Sequence, residues 1–225
     1  MKIKFGAIVT DGRGKIGGHV ASKNRSGAYL RTKVTPSNPQ TSAQSTARSI
    51  LASASQNWRK LSDSQRLSWN NAVSDWSKTD IFGDIKKPTG LNLYVKLSAN
   101  FANIGQVVPL TPPPVATSPT AGVLSAFLSV STGALEILFS DESADAMMAY
   151  VRATPPLSAG ISFVKSELRV IGYGQIMTDR VLLTGYYVAK FGTYAVGDNI
   201  HVSVQFIGLN GAKSIEQKIK ASVVA

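Results

Sequence analysis

The spacing of apolar residues changes along this chain, and each spacing predicts a different element. Between residues 2 and 35 short β-forming runs at 2–9, 15–23 and 28–34 are separated by the glycine-rich turns 11–14 and 24–27, which predicts a β meander. Its strands are poor in large apolar residues. Ile3, Phe5, Ile16, Val20, Tyr29 and Leu30 make too little core to stand alone, so the segment is expected to be an extended arm that a partner orders. Pro36 and Pro39 hold the residues before them extended and end the arm.

The helical period of about 3.6 then takes over. Thr41 to Gln44 fits a capping box, and Ala47, Ile50, Leu51, Ala54, Trp58 and Leu61 fall on one helix face. Ser62 to Gln65 repeats the cap, with Trp69, Ala72, Val73 and Trp76 behind it, so 43–77 is expected as a helical hairpin cornered at Leu61-Ser62. After a loop holding Gly83 and Pro88, residues 90–104 predict a third helix. Leu91, Tyr94, Leu97, Phe101 and Ile104 form its buried side, and Gly105 closes it. All three tryptophans sit on these stripes, where core packing accounts for them better than exposed stacking platforms do.

Pro109, Pro112-Pro113-Pro114 and Pro119 predict a stiff linker, beyond which the period falls to that of strands. Runs at 124–130, 134–139, 147–153, 168–173, 181–190, 201–207 and 215–223, with a turn signal at Asn210-Gly211, predict an antiparallel immunoglobulin-like β-sandwich. The expected fold class is therefore α+β and multidomain. The expected divisions are a basic β arm at 1–40, a helical hairpin plus third helix at 41–107, a Pro-rich linker at 108–121 and the sandwich at 122–225.

Charge gives this plan a direction. Of the formal net charge of +11, residues 1–60 hold eleven Lys and Arg against the single acid Asp11, whereas 111–225 hold eight of each sign. One end is cationic and the other neutral, which points to an N-terminus that grips an acidic or polyanionic surface. Arg13, Lys15, Lys23, Arg25, Tyr29, Arg31 and Lys33, with Arg48 on the first helix, are the candidate partner-binding residues, and Arg59 and Arg66 extend the basic surface. Nucleic acid is the alternative partner, and about five to eight phosphate contacts would make such binding steeply salt-dependent. Acidic protein is the favoured one, because no base-reading or stacking module accompanies the cations.

Enzyme chemistry finds little material. There is no cysteine, and His19 and His201 lie far apart. Gly12, Gly14 and Gly17 spell a dinucleotide-binding GxGxxG, but the run after it turns β again and the next acid after Asp11 is Asp63, so hairpin turns explain the glycines better. Asp141, Glu142 and Asp145 are weighed as a cation loop and read as a solubilising one. A glycan hydrolase needs a carboxylate pair that none of the thirteen acids supplies persuasively. No catalytic, cofactor-binding or metal-binding residue is assigned, and neither an enzyme nor a small-molecule substrate is expected. No run approaches the roughly 18 apolar residues of a membrane span, and no apolar leader follows Met1, so a soluble, unexported protein without a membrane partner is expected. The sequon Asn24-Arg25-Ser26 carries no weight without export.

The words Gly17-Gly18-His19-Val20-Ala21, Gly27-Ala28-Tyr29-Leu30-Arg31, Pro36-Ser37-Asn38-Pro39-Gln40-Thr41, Gln44, Arg48, Trp58-Arg59-Lys60-Leu61 and Arg66-Leu67-Ser68-Trp69-Asn70 resemble a pattern in small proteins of Bacteroidetes and the tailed phages that infect them. The resemblance covers roughly the stretch from Gly14 to Ala72. It implies a virion component encoded among head and tail genes and is silent on the part of the particle; the expectation drawn with it is a virion structural protein, assembled in the host cytoplasm and placed on the capsid as an auxiliary protein or beside the portal and neck. Its partners would be other virion proteins and copies of itself in a symmetric assembly, met by strand addition and by pairing Lys and Arg with acids. The late region, 201–207 followed by Gly208-Leu209-Asn210-Gly211 and a last strand, is similar to fibronectin type III modules, and this implies architecture only.

Overall fold

The structure, a computed structural model, describes residues 1–6, 11–25, 27–113, 123–129, 133–139, 147–158, 160–175 and 180–224. The acids Asp141, Glu142 and Asp145 and the later part of the proline run lie outside the described residues. In chain order come β1 (Lys2–Ile3), β2 (Gly14–Ile16), β3 (His19–Asn24), β4 (Gly27–Thr32), α1 (Ser42–Lys60), α2 (Asp63–Asn71), β5 (Lys78–Thr79), β6 (Ile85–Lys86) and α3 (Gly90–Ala102). Then follow β7 (Val123–Ser129), β8 (Ala134–Phe139), β9 (Met147–Ala153), β10 (Arg169–Gln175), β11 (Arg180–Thr184), α4 (Tyr186–Phe191), β12 (Ile200–Gly208) and β13 (Gln217–Val224). The fold is α+β, with helices and several antiparallel sheets.

The chain forms two compact units, one of Met1–Arg48 with Ser77–Lys87 and one of Ser49–Trp76 with Pro88–Ala225. This division differs from the one the prolines suggest, because segments far apart in sequence share each unit.

In the first unit β1, β4, β3 and β2 pair in that order, antiparallel throughout. The run 15–23, expected as one strand, is a hairpin. Gly17, at φ +54, and Gly18 turn the chain between Ile16 and His19, so the glycines of the GxGxxG word shape turns and no helix follows them. The loop after the tryptophans holds a second hairpin, β5 with β6, that was too short to show a period.

In the second unit the corner at Ser62 forms as expected: its Oγ accepts from the N–H of Gln65 at 3.3 Å, and its own N–H donates to Gln65 Oε1 at 2.9 Å. Arg66 donates to the carbonyls of Trp58 and Arg59 and pairs with Asp63, closing the C-terminus of α1 rather than extending a basic surface. The stripe on α1 is buried only from Ala54 onward; Ala47 is exposed and Leu51 is 55 % exposed. On α3 the inward residue is Leu93, fully buried, and Leu91 points away. The turn that starts α3 lies so close to α2 that a Cβ on Gly90 would meet Asn70, which leaves room for glycine only.

The remaining strands join, among the described residues, in the order β10–β9–β12–β13–β7–β8–β11. Alternate residues of β9 and β12 (Ala149, Val151, Val202, Val204, Phe206) meet those of β7, β8 and β11 (Leu128, Leu135, Ile137, Phe139, Val181, Leu183) in one core. A Cβ on Gly174 of β10 would crowd Val181 and Leu183 of β11, so the two ends of the sheet approach each other and the sheet folds over its own core. Two expectations are corrected. The pair β13–β7 is parallel, not antiparallel. The run 181–190 is a strand only to Thr184, because the chain then coils into α4 to seat Tyr187, fully buried and donating to the Thr154 carbonyl at 2.9 Å.

The helices rest on the outside of this sheet. Ile207, Met148 and Tyr150, on the faces of β12 and β9 turned away from the inner core, pack with Trp69, Leu93, Tyr94, Leu97 and Phe101. Asn100 Nδ2 donates to the Gly211 carbonyl at 2.7 Å, pinning α3 to the turn after β12. The start of the proline segment is held as well, since Trp69 Nε1 donates to the Leu110 carbonyl at 2.9 Å.

Candidate partner-binding surface

The four-stranded sheet sorts its side chains by strand register. Lys15, Val20 and Arg31 lie in one row across β2, β3 and β4, and Ser22, Tyr29 and Lys2 in another across β3, β4 and β1. Residues two apart on a strand share a face, so both rows lie on the same side. The N–H of Lys33 donates to the Gly18 carbonyl at 2.8 Å and carries the ladder one step further. Four of the sequence-derived candidates, Lys15, Tyr29, Arg31 and Lys33, are thereby brought to one cationic face.

The other candidates lie elsewhere. Lys23 falls on the opposite face and pairs with Asp11 at 3.6 Å, while Arg13 reaches the same carboxylate at 4.0 Å. Arg25 is exposed in the turn between β3 and β4. Arg48 is not part of the sheet, and its Nη2 donates to Asn38 Oδ1 at 2.6 Å. Lys15, Arg25, Arg31 and Lys33 make no ion pair among the described residues, and all four are exposed.

Two acids that sequence reasoning passed over neutralise part of the arm. Lys2 Nζ lies 3.3 Å from Asp80 Oδ2 and Lys4 Nζ lies 3.1 Å from Asp84 Oδ2, with Lys86 Nζ 3.8 Å from each carboxylate. Lys4 also lies over the Phe82 ring, 5.3 Å from its centre. Asp80 holds its own hairpin together, because Oδ1 accepts from the N–H groups of Phe82 at 2.8 Å and Asp84 at 3.1 Å. Partial desolvation opposes its charge, but the two N–H groups and Lys2 outweigh that and hold its carboxyl below the usual carboxylate range. The available signal was the turn word Asp80-Ile81-Phe82-Gly83-Asp84 between lysines.

A pH prediction follows from the sign of that shift. A carboxyl with a lowered folded pKa stabilises the fold at every pH above its unfolded value and loses that contribution as pH falls through the lower folded value. Limited proteolysis of 77–87 should therefore begin only below the ordinary carboxylate range, whereas Asp80→Asn should expose the segment already at neutral pH. Cleavage of the native segment starting near neutrality would contradict this.

The opposite face is apolar where the first is charged. Its rows are Ile16, His19 and Thr32, then Ala21 and Leu30, then Lys23, Ala28 and Ile3. Ile16 is 72 % exposed. A groove of about 470 Å³ is lined by Met1, Ile16, His19, Leu30 and Thr32 of this face together with Arg31.

A second polar cluster lies in the other unit. Ser203 Oγ donates to Glu216 Oε1 at 2.6 Å, Arg152 Nη2 lies 2.8 Å from the same oxygen, and together they hold the Glu216 carboxyl low. Burial, helped by the nearby Arg152 charge, pulls the Lys213 amine below its usual value, and that amine lies over the Tyr150 ring, 5.7 Å from its centre. These groups satisfy one another across strands, so the cluster ties β9, β12 and β13 together. Among the described residues no group of three His, Asp or Glu is placed to hold a metal ion. No protein-family profile, curated protein or solved structure matches this chain.

Proposed function

We propose that this chain is a structural protein of a phage virion, auxiliary to the capsid or seated beside the portal and neck, that docks on neighbouring subunits through its cationic unit. One observation carries the reading. Lys15, Arg31 and Lys33 stand exposed and make no ion pair among the described residues, on a sheet whose other face carries an apolar groove. The resemblance of Gly14 to Ala72 to virion proteins supplies the setting. The second unit is read as an immunoglobulin-like sandwich that projects or bridges. Strand order supports that, with β10, β9, β12 and β13 facing β7, β8 and β11 over one core.

Mixing the purified chain with assembled capsids or portal rings tests the proposal. Stoichiometric binding is expected, and deleting 1–40 should abolish it. Because that deletion removes a whole sheet, the double change Arg31→Glu and Lys33→Glu, at exposed positions, should weaken binding at least tenfold in a folded chain. Unchanged binding after either manipulation would sink the idea. Tyr29, half-buried between the cations, favours a second reading, a nucleic-acid-binding protein that contacts phosphates through the same face. Absence of any gel retardation at low salt would remove it.

A further inference from the structure

Resting on the reading above, we infer that the apolar groove of the four-stranded sheet takes an acidic amphipathic helix of a partner protein. The groove runs from Ile16 on β2 past His19 on β3 and Leu30 on β4 to Met1, just before β1, whose carbonyl accepts from the Leu30 N–H at 2.8 Å. Three strand spacings give it a length of about 14 Å, the rise of two to three helical turns. Ala21 in the middle of the face is buried, whereas Ile16 at its edge is 72 % exposed, and a sheet face with exposed apolar side chains is ordinarily covered by a helix lying on it.

Charge decides what kind of helix. The unit holding the groove carries twelve Lys and Arg against Asp11, Asp80 and Asp84, and the rest of the chain is close to neutral with twelve against ten. A second copy would bring the same excess of cations to the groove, so like charges would meet. A partner with carboxylates flanking its apolar stripe meets Arg31, which lines the groove, within a unit rich in cations. A nucleic acid satisfies the cations but has no aliphatic side chains to bury against Ile16 and Leu30. The occupant fitted by both properties is an acidic helix with an apolar stripe.

Fluorescence anisotropy of labelled synthetic peptides on the full chain tests this. The probe is a peptide of about 18 residues with leucine along one helical face and glutamate on the other. One control keeps the glutamates and replaces leucine with serine, and the other keeps the leucines and replaces glutamate with lysine. The Glu/Leu peptide is expected to bind at least tenfold tighter than either control. Ile16→Ser, at an exposed edge where folding is little affected, should weaken it about tenfold while the circular dichroism spectrum stays unchanged. Equal binding of Glu/Leu and Glu/Ser peptides, no effect of Ile16→Ser, no binding at all, or displacement of the peptide by duplex DNA in an Ile16-dependent manner would each overturn the inference. The assembly reading fails by another result, unchanged particle binding without 1–40. A peptide that does not bind while that deletion still abolishes particle binding removes the groove assignment alone.

Discussion

Trp69→Ala should cost the second unit about 3–5 kcal/mol of stability, read as a lowered urea midpoint at unchanged slope. Trp69 is fully buried, and its ring stands edge-on to Tyr94 at 5.2 Å and 87°. Tyr94 in turn meets Trp58 at 5.6 Å, so Tyr94 sits between the two indoles in an aromatic cluster that joins α1, α2 and α3. Truncation opens a cavity that helices fixed by the Ser62 cap and the Gly90 contact close only in part. It also leaves the Leu110 carbonyl without its donor, worth about 0.5–1.5 kcal/mol more. Trp69→Phe keeps most of the packing and loses the donor, so it should fall well short of the alanine change. A loss under about 1 kcal/mol for Trp69→Ala would mean that the stack is not packed as described.

Phe206→Ala should be of similar size, about 3–5 kcal/mol. Phe206 lies fully buried in β12 and meets Phe139 of β8 edge to face at 5.1 Å and 74°, so it joins the two layers of the folded-over sheet. The next residue, Ile207, faces the other way and belongs to the helical core. Because adjacent residues of one strand serve both cores, the two variants should shift a single shared unfolding transition, seen alike by far-ultraviolet circular dichroism and tryptophan fluorescence. Two separable transitions would show that helices and sheet fold independently, as the proline-rich segment alone suggests.

The strands of the second unit were legible because Val202, Val204 and Phe206 alternate with polar residues, a signal that depends on one strand and its two faces. Caps were legible for the same local reason. The stripe Ala47, Ile50 and Leu51 was misleading, since periodicity states which face is apolar and not whether anything covers it. Tyr186 to Phe191 is apolar enough for a strand or a helix, and only the seat of Tyr187 beneath the sheet decides. The cations were all visible in the sequence, but their faces were not. Read as one strand, 15–23 puts Lys15 and Lys23 on the same side, whereas the turn at Gly17-Gly18 reverses the chain and places them on opposite sides. The pairing of Lys2 with Asp80, 78 residues apart, has no local signature at all.

The parallel pairing of β7 with β13 bears on how the second unit carries load. Phe127, Leu128 and Ser129 lie beside Ser222, Val223 and Val224, so the first and last strands of the sheet run the same way. Tension applied between the entry of β7 and the exit of β13 drags these strands lengthwise past each other, and the backbone bonds between them resist together instead of opening one after another as in a peeled hairpin. A module wired in this way holds its shape under a pull along its strands, as the bridging role proposed above would require.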